Sequence, residues 1–167
     1  MPGSNLSPIV VDTSVLLNFL KARRLDLLRA CTARLVIPSE VRGEVLRPDQ
    51  VAALDAALAD GWISEDTISA TVEVTLFAQL AARGALGIGE RAVIAIAATR
   101  GWGAALQDKP AREEAQRRNK AMDLHSTESF VREAIEHGVI TYDEADALLV
   151  EWRTQHRFRT LLTTFRP

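Results

Sequence analysis

Ile9-Val10-Val11-Asp12-Thr13-Ser14-Val15-Leu16-Leu17 is the stretch on which the fold turns. Three β-branched residues make a short strand, the polar triplet Asp12-Thr13-Ser14 ends it, and Val15, Leu16, Leu17, Phe19 and Leu20 read as a buried helix that starts at once. The pattern returns at Leu35-Val36-Ile37, where Pro38-Ser39 opens a helix through Val45. It returns again over 102–106, where Gln107-Asp108-Lys109-Pro110 leads into a helix over 111–119. Short strands alternating with helices predict a parallel sheet covered on both faces.

Outward from these three units the sequence is helical. Between the second and third strands it predicts helices over 50–60, 74–83 and 90–100, punctuated by Gly61 and Gly84, and no further strand. Past the third unit a helix over 127–137 stops at Gly138, and the capping box Thr141-Tyr142-Asp143-Glu144 opens another that runs to about 155. The chain is therefore expected to end all-helical. No repeat, low-complexity tract or Gly/Ser linker divides it, and 167 residues is the length of one ordinary domain. The expectation is one α/β domain over residues 1–167, three layers deep (α/β/α), with a short central parallel sheet and extra helices at the C-terminus.

A net charge of -2 excludes a wholly basic nucleic-acid coat but leaves room for a basic rim beside an acidic pocket. Such a rim has two candidate segments: Lys21, Arg23, Arg24, Arg29 and Arg34, and the acid-free tail from Arg153 to Arg166. Cys31 is the sole cysteine, which excludes an internal disulfide, a Cys-rich zinc site and an iron–sulfur cluster and points to a reducing cytoplasm. The longest apolar run, 92–98, falls far short of the roughly 20 residues a membrane span needs, so no membrane association is expected. Met1 to Asn5 carry no basic residue, which argues against a secretory leader.

In an open parallel sheet the ligand site lies beyond the carboxyl ends of the strands. Asp12 and Asp108 stand at such ends, Glu90 opens a strongly apolar helix, and Glu44 closes the helix after the second strand. Carboxylates brought together repel one another, so a pocket of four makes chemical sense around a hard divalent cation. Such a cation holds a phosphodiester and lowers the pKa of a bound water. Ser14 is placed to cap the first helix and to orient Asp12. Each acid also has a plainer reading: Asp12 and Asp108 as helix caps, Glu90 as a partner of the helix dipole, Glu44 as solvated surface. Glu40 and Glu44 share a helical face, so periodicity does not say which points inward.

Val11-Asp12-Thr13-Ser14, Pro38-x-x-Val41-x-x-Glu44, Gly87-x-Gly89-Glu90-x-Ala92-x-Ile94-x-x-Ala97 and Asp108-x-x-Ala111-Arg112 together resemble a PIN (PilT N-terminus) domain of the branch that holds the VapC-type toxins. The resemblance implies a PIN-like fold and a Mg²⁺- or Mn²⁺-dependent endoribonuclease that leaves a 3′-hydroxyl and a 5′-phosphate. It also implies a homodimer neutralised by a small antitoxin protein. Carried over by position, the catalytic set is Asp12, Glu44, Glu90 and Asp108, with Asp12, Glu90 and Asp108 as metal ligands and Ser14 in support; position in the motif favours Glu44 over Glu40. The branch usually has two consecutive Asp where this chain has Gln107-Asp108, which weakens a second metal position. A different class follows from that departure: a PIN fold that binds RNA or a protein partner without cutting.

Other features are read as structural. His125, His137 and His156 lack ligand spacing, and Trp62, Trp102 and Trp152 are read as core or interface. Gly84-x-x-Gly87-x-Gly89 lacks the Gly-Lys-Ser/Thr ending of a phosphate loop, and Ser14 stands where a covalent aspartyl phosphatase needs a second Asp. The Ala/Leu-rich faces over 51–58 and 76–82 either pack on the core or offer a dimer or antitoxin surface.

Overall fold

The computed structural model describes residues 7–167; residues 1–6, including the stretch without a basic residue, lie outside the described residues. The elements run β1 (Ile9–Val11), α1 (Thr13–Lys21), α2 (Leu25–Arg29), β2 (Leu35–Pro38), α3 (Ser39–Glu44), α4 (Pro48–Asp60), β3 (Ile63–Asp66), α5 (Thr71–Ala81), α6 (Ile88–Arg100), β4 (Gly103–Ala105), α7 (Lys109–Arg118), β5 (Leu124–His125), α8 (Thr127–Glu136) and α9 (Tyr142–Gln155). The strands form one parallel sheet in the order β3-β2-β1-β4-β5. Val10 at its centre pairs with Val36 on one side and Ala104 on the other.

The three strands legible in the sequence are the three central ones, and their residues are buried because helices cover both faces. Ala92 through Ala97 in α6 are likewise all buried. That helix touches β1, β2 and β4 of the sheet together with α3, α5 and α7. The expectation of no strand between β2 and β4, and of an all-helical end, is corrected by the edges. β3 is Ile-Ser-Glu-Asp and β5 is only Leu124–His125. Edge strands this short and polar owe their conformation to backbone pairing with a neighbour, which leaves no hydrophobic signature. Residues after α9 form no helix either; Phe158 and Phe165 pin that tail to the core.

An aromatic cluster locks the C-terminal helices to the start of the chain. Phe19 of α1 meets Trp152 of α9 edge to face at 5.5 Å and Phe130 of α8 at 6.3 Å between ring centroids. The Trp152 indole N–H donates to the Asn18 carbonyl at 2.8 Å, so its one polar atom is satisfied in the core. Trp62 and Trp102 are half-buried, the latter beneath the guanidinium groups of Arg34 and Arg100.

Candidate functional site

Strand order reverses at β1: the chain proceeds outward to β2 and β3, then returns to place β4 on the other side of β1. Ligand sites of open parallel sheets lie at such a reversal, beyond the carboxyl ends of the flanking strands, here β1 and β4. The Asp12 N–H bonds to the Ala105 carbonyl at 3.0 Å, which fixes the two strand ends side by side. Asp12 is 3% exposed and is itself the N-cap of α1, with extended backbone. The reading of Ser14 as the cap is therefore corrected. Ser14 lies inside the first turn, and both its N–H (3.3 Å) and its hydroxyl (2.7 Å) donate to Asp12 Oδ2.

Asp108 occupies the N-cap position of α7, yet its side chain makes no capping bond and is exposed. The helix does not use this carboxylate. Glu44, at the last residue of α3, accepts a short hydrogen bond from the Thr13 hydroxyl and a longer one, 3.4 Å, from the Gly89 N–H. Of the two acids on that helix, Glu44 is thus the one turned toward Asp12, while Glu40 has one enclosed oxygen without a hydrogen-bond partner. Glu90 sits in the first turn of α6 and accepts from the Gly87 N–H at 2.9 Å. Thr13 and Gly89 escaped the sequence reading. A Cβ at Gly89 would lie 2.8 Å from Thr13 Oγ1, 3.0 Å from Glu44 Oε2 and 3.2 Å from Asp12 Oδ1, so only glycine lets α6 approach these groups. The Gly-Ile-Gly-Glu spacing carried that signal, which a search for phosphate loops does not register.

The electrostatics follow from the crowding. Burial pushes the Asp12 carboxyl up, against the hydrogen bonds from Ser14 and the backbone that favour its charged form, and Glu44 adds repulsion. Burial is also the largest cause for Glu90, which is pushed up to about 7, with repulsion from Asp12 and Asp108 added to it. A carboxylic acid half-protonated near neutral pH at a strand-end crevice is a mark of functional sites.

The donor set suits a hard divalent cation in kind: all its members are oxygens, and Asp12 and Glu44 are oriented by hydroxyls. Among the described residues, no three His, Cys, Asp or Glu side chains stand close enough together to hold an ion as they lie. Glu44 and Glu90 instead rest on local N–H donors. Gln107 supplies no further oxygen. Its only one accepts from the Thr127 N–H at 3.1 Å, and its amide donates to Glu128 at 3.2 Å. Gln107 is a bracket between the end of β4 and the start of α8.

The basic segments read from the sequence are in good part consumed by their neighbours. Arg24 pairs with Asp26, Arg34 stacks on Trp102, Arg153 caps the Thr160 and Leu162 carbonyls, and Arg166 pairs with Asp143. The three histidines are each engaged locally, with Asp123, the Ala30 carbonyl and Glu151. Val51, Leu58 and Leu76, from the Ala/Leu-rich faces, pack against the core. No helix among the described residues is long and apolar enough to cross a membrane.

A parallel five-stranded sheet in the order β3-β2-β1-β4-β5 with helices on both faces makes this an α/β protein. A family model described as a PIN domain matches residues 8–163, and the chain belongs to the PIN-domain family. Among solved structures it is similar to a chain of VapBC2 from Rickettsia felis, determined bound to a DNA fragment from their promoter. That likeness has 14% identity and a TM-score of 0.49, and covers 71% of this chain and 98% of the other. It is also similar to a chain of FitAcB from Neisseria gonorrhoeae, with 14% identity and a TM-score of 0.46, covering 71% of this chain and 97% of that one. No curated protein matches it.

Proposed function

We propose that residues 1–167 act as one PIN domain, a metal-dependent endoribonuclease that hydrolyses RNA phosphodiester bonds in the cytoplasm. The observation that supports this reading is pairwise: Asp12 lies beside Glu44, and Glu90 is within the repulsion of Asp12 and of Asp108, so burial and repulsion push the Asp12 and Glu90 carboxyls up. Asp12, Glu90 and Asp108 would hold Mg²⁺ or Mn²⁺. When bound, the ion supplies neutralisation of the phosphodiester and a water of lowered pKa. Ser14 holds Asp12 by two hydrogen bonds to one oxygen, which leaves Oδ1 free of it. Thr13 and the Gly89 N–H hold Glu44 beside Asp12, where it orients the attacking water and takes its proton. The role of a toxin neutralised by a small antitoxin, and a homodimeric state, rest on the order of the four motifs.

Cleavage of a mixed cellular RNA pool with Mn²⁺, with fragment ends mapped, tests the reading. Discrete cuts bearing 5′-phosphates should vanish in Asp12→Asn and with chelator, the variant still folded. A non-cleaving RNA or partner-binding module is favoured by one observation, the commitment of Gln107 to α8. Three identical lanes would support it.

A further inference from the structure

The structure holds a cluster of positive charge that neither basic segment of the sequence includes. Glu114, midway along α7, is 3% exposed, and three guanidinium groups converge on it. Arg83 Nη1 lies 3.1 Å and Arg117 Nη1 2.8 Å from its Oε2, and Arg118 Nε lies 2.8 Å from Oε1. Glu113 lines the same hollow but pairs with Lys109 at 3.7 Å, so three arginines and a lysine against two carboxylates leave the cluster cationic. The Arg83 and Arg117 side chains keep 53% and 57% of their surface in solvent, while the carboxylate that fixes them keeps 4%. Each guanidinium carries five N–H donors in a rigid fork, and Glu114 takes only part of each fork. Arg118 also donates to Gln79 at 3.4 Å and is the most covered of the three, so Arg83 and Arg117 are the ones that keep donors for solvent or a ligand.

Position gives the cluster its meaning. Arg83 lies on the segment between α5 and α6 that leads to Glu90, and Arg117 on the helix that begins at Asp108. Both line a hollow of about 240 Å³ whose floor includes Leu86 and Pro110, between the two segments that carry those acids. Along α7, at about 1.5 Å per residue, Arg117 stands about 14 Å from Asp108. We propose that Arg83, Arg117 and Arg118, fixed by the buried Glu114, form a phosphate-binding surface that holds the backbone of single-stranded RNA beside the acidic crevice. A hollow of this volume admits phosphate groups one at a time, which suits a flexible single strand. This inference rests on the RNA reading above.

The test is binding of a single-stranded oligoribonucleotide to the Asp12→Asn protein, which does not cut, across a range of KCl concentrations. Adding Arg83→Gln and Arg117→Gln leaves Arg118 to pair with Glu114, and melting checks that the fold persists. Two lost phosphate contacts should lower the slope of log K against log[salt] by about 1.4 and weaken binding at 0.1 M salt on the order of 10-fold. Arg132→Gln, at an exposed position of α8 outside both basic segments, should leave both unchanged. If the double variant does not fold, Arg83→Gln alone should lower the slope by about 0.7. Wild-type slope and affinity in the folded Arg83 and Arg117 variants, or an equal loss with Arg132→Gln, overturn the proposal. If the Asp12→Asn parent binds no RNA at any salt, the RNA reading fails and this surface with it.

Discussion

Replacing Glu90 by Gln should make the metal-free protein more stable at pH 8 while weakening its hold on a divalent ion. The carboxyl is pushed from the ordinary 4.5 up to about 7 by burial and by repulsion from Asp12 and Asp108. At about 1.4 kcal/mol per pH unit this caps the penalty of the charged form near 3 kcal/mol. Glu90 is half-buried, and screening by solvent reduces the figure to about 1–2 kcal/mol. An acid whose pKa is raised by folding binds its proton more tightly in the native than in the unfolded state. Stability is therefore full below about pH 4.5, falls as pH rises toward 7, and stays low above it. Gln keeps the oxygen that accepts from the Gly87 N–H, so the first turn of α6 retains that bond.

Thermal melting in chelator from pH 4.5 to 8.5 reads this directly. Wild type should lose melting temperature between pH 5 and 7. Glu90→Gln should follow a flatter curve and melt about 2–8 °C higher at pH 8, given roughly 2–4 °C per kcal/mol for a chain of this size. Asp12, pushed in the same direction, supplies the slope that persists in the variant. With millimolar Mn²⁺ the order should reverse, because ion binding stabilises the wild-type carboxylate site. A wild-type melting temperature that rises from pH 5 to 7, or a variant that melts below wild type at pH 8 in chelator, would refute the electrostatic account.

Three further outcomes follow from the geometry. Gly89→Ala puts a methyl 2.8 Å from Thr13 Oγ1 and 3.0 Å from Glu44 Oε2. It should cut cleavage on the order of 100-fold while leaving the melting temperature near wild type, because alanine favours the helix by about 1 kcal/mol; unchanged kinetics would contradict the close approach. Gln107→Glu loses the donor to Glu128 and faces it with like charge, so chemical denaturation should show a loss of about 1–2 kcal/mol. The swap Gln107→Glu with Glu128→Gln restores the pairing, and a double-mutant cycle without coupling would dismiss the bracket. Trp152→Ala empties the cluster formed with Phe19 and strips the Asn18 carbonyl of its partner, at an expected 3–5 kcal/mol in urea unfolding.

The three central strands and the helices that follow them were legible because each carries a local chemical signature. The β-branched runs at Ile9–Val11 and Leu35–Pro38 are buried on both faces, and a residue buried on both faces must be apolar along its whole length. The edge strands Ile63–Asp66 and Leu124–His125 carry no such mark, since pairing to β2 and β4 alone makes them strands. The same division runs through the site. Residue type nominated Asp12, Glu90 and Asp108, spacing left Glu40 and Glu44 open, and only position in the PIN-like motif favoured Glu44. Tertiary structure decided that Asp12 and not Ser14 caps α1, that Thr13 and Gly89 hold Glu44, and that Gln107 turns to α8. It also gathered Arg83, Arg117 and Arg118 on Glu114. Hydrophobic pattern acts along the chain and can be read there, whereas which donor reaches which carboxylate depends on segments 31 to 45 residues apart that only the packed fold brings together.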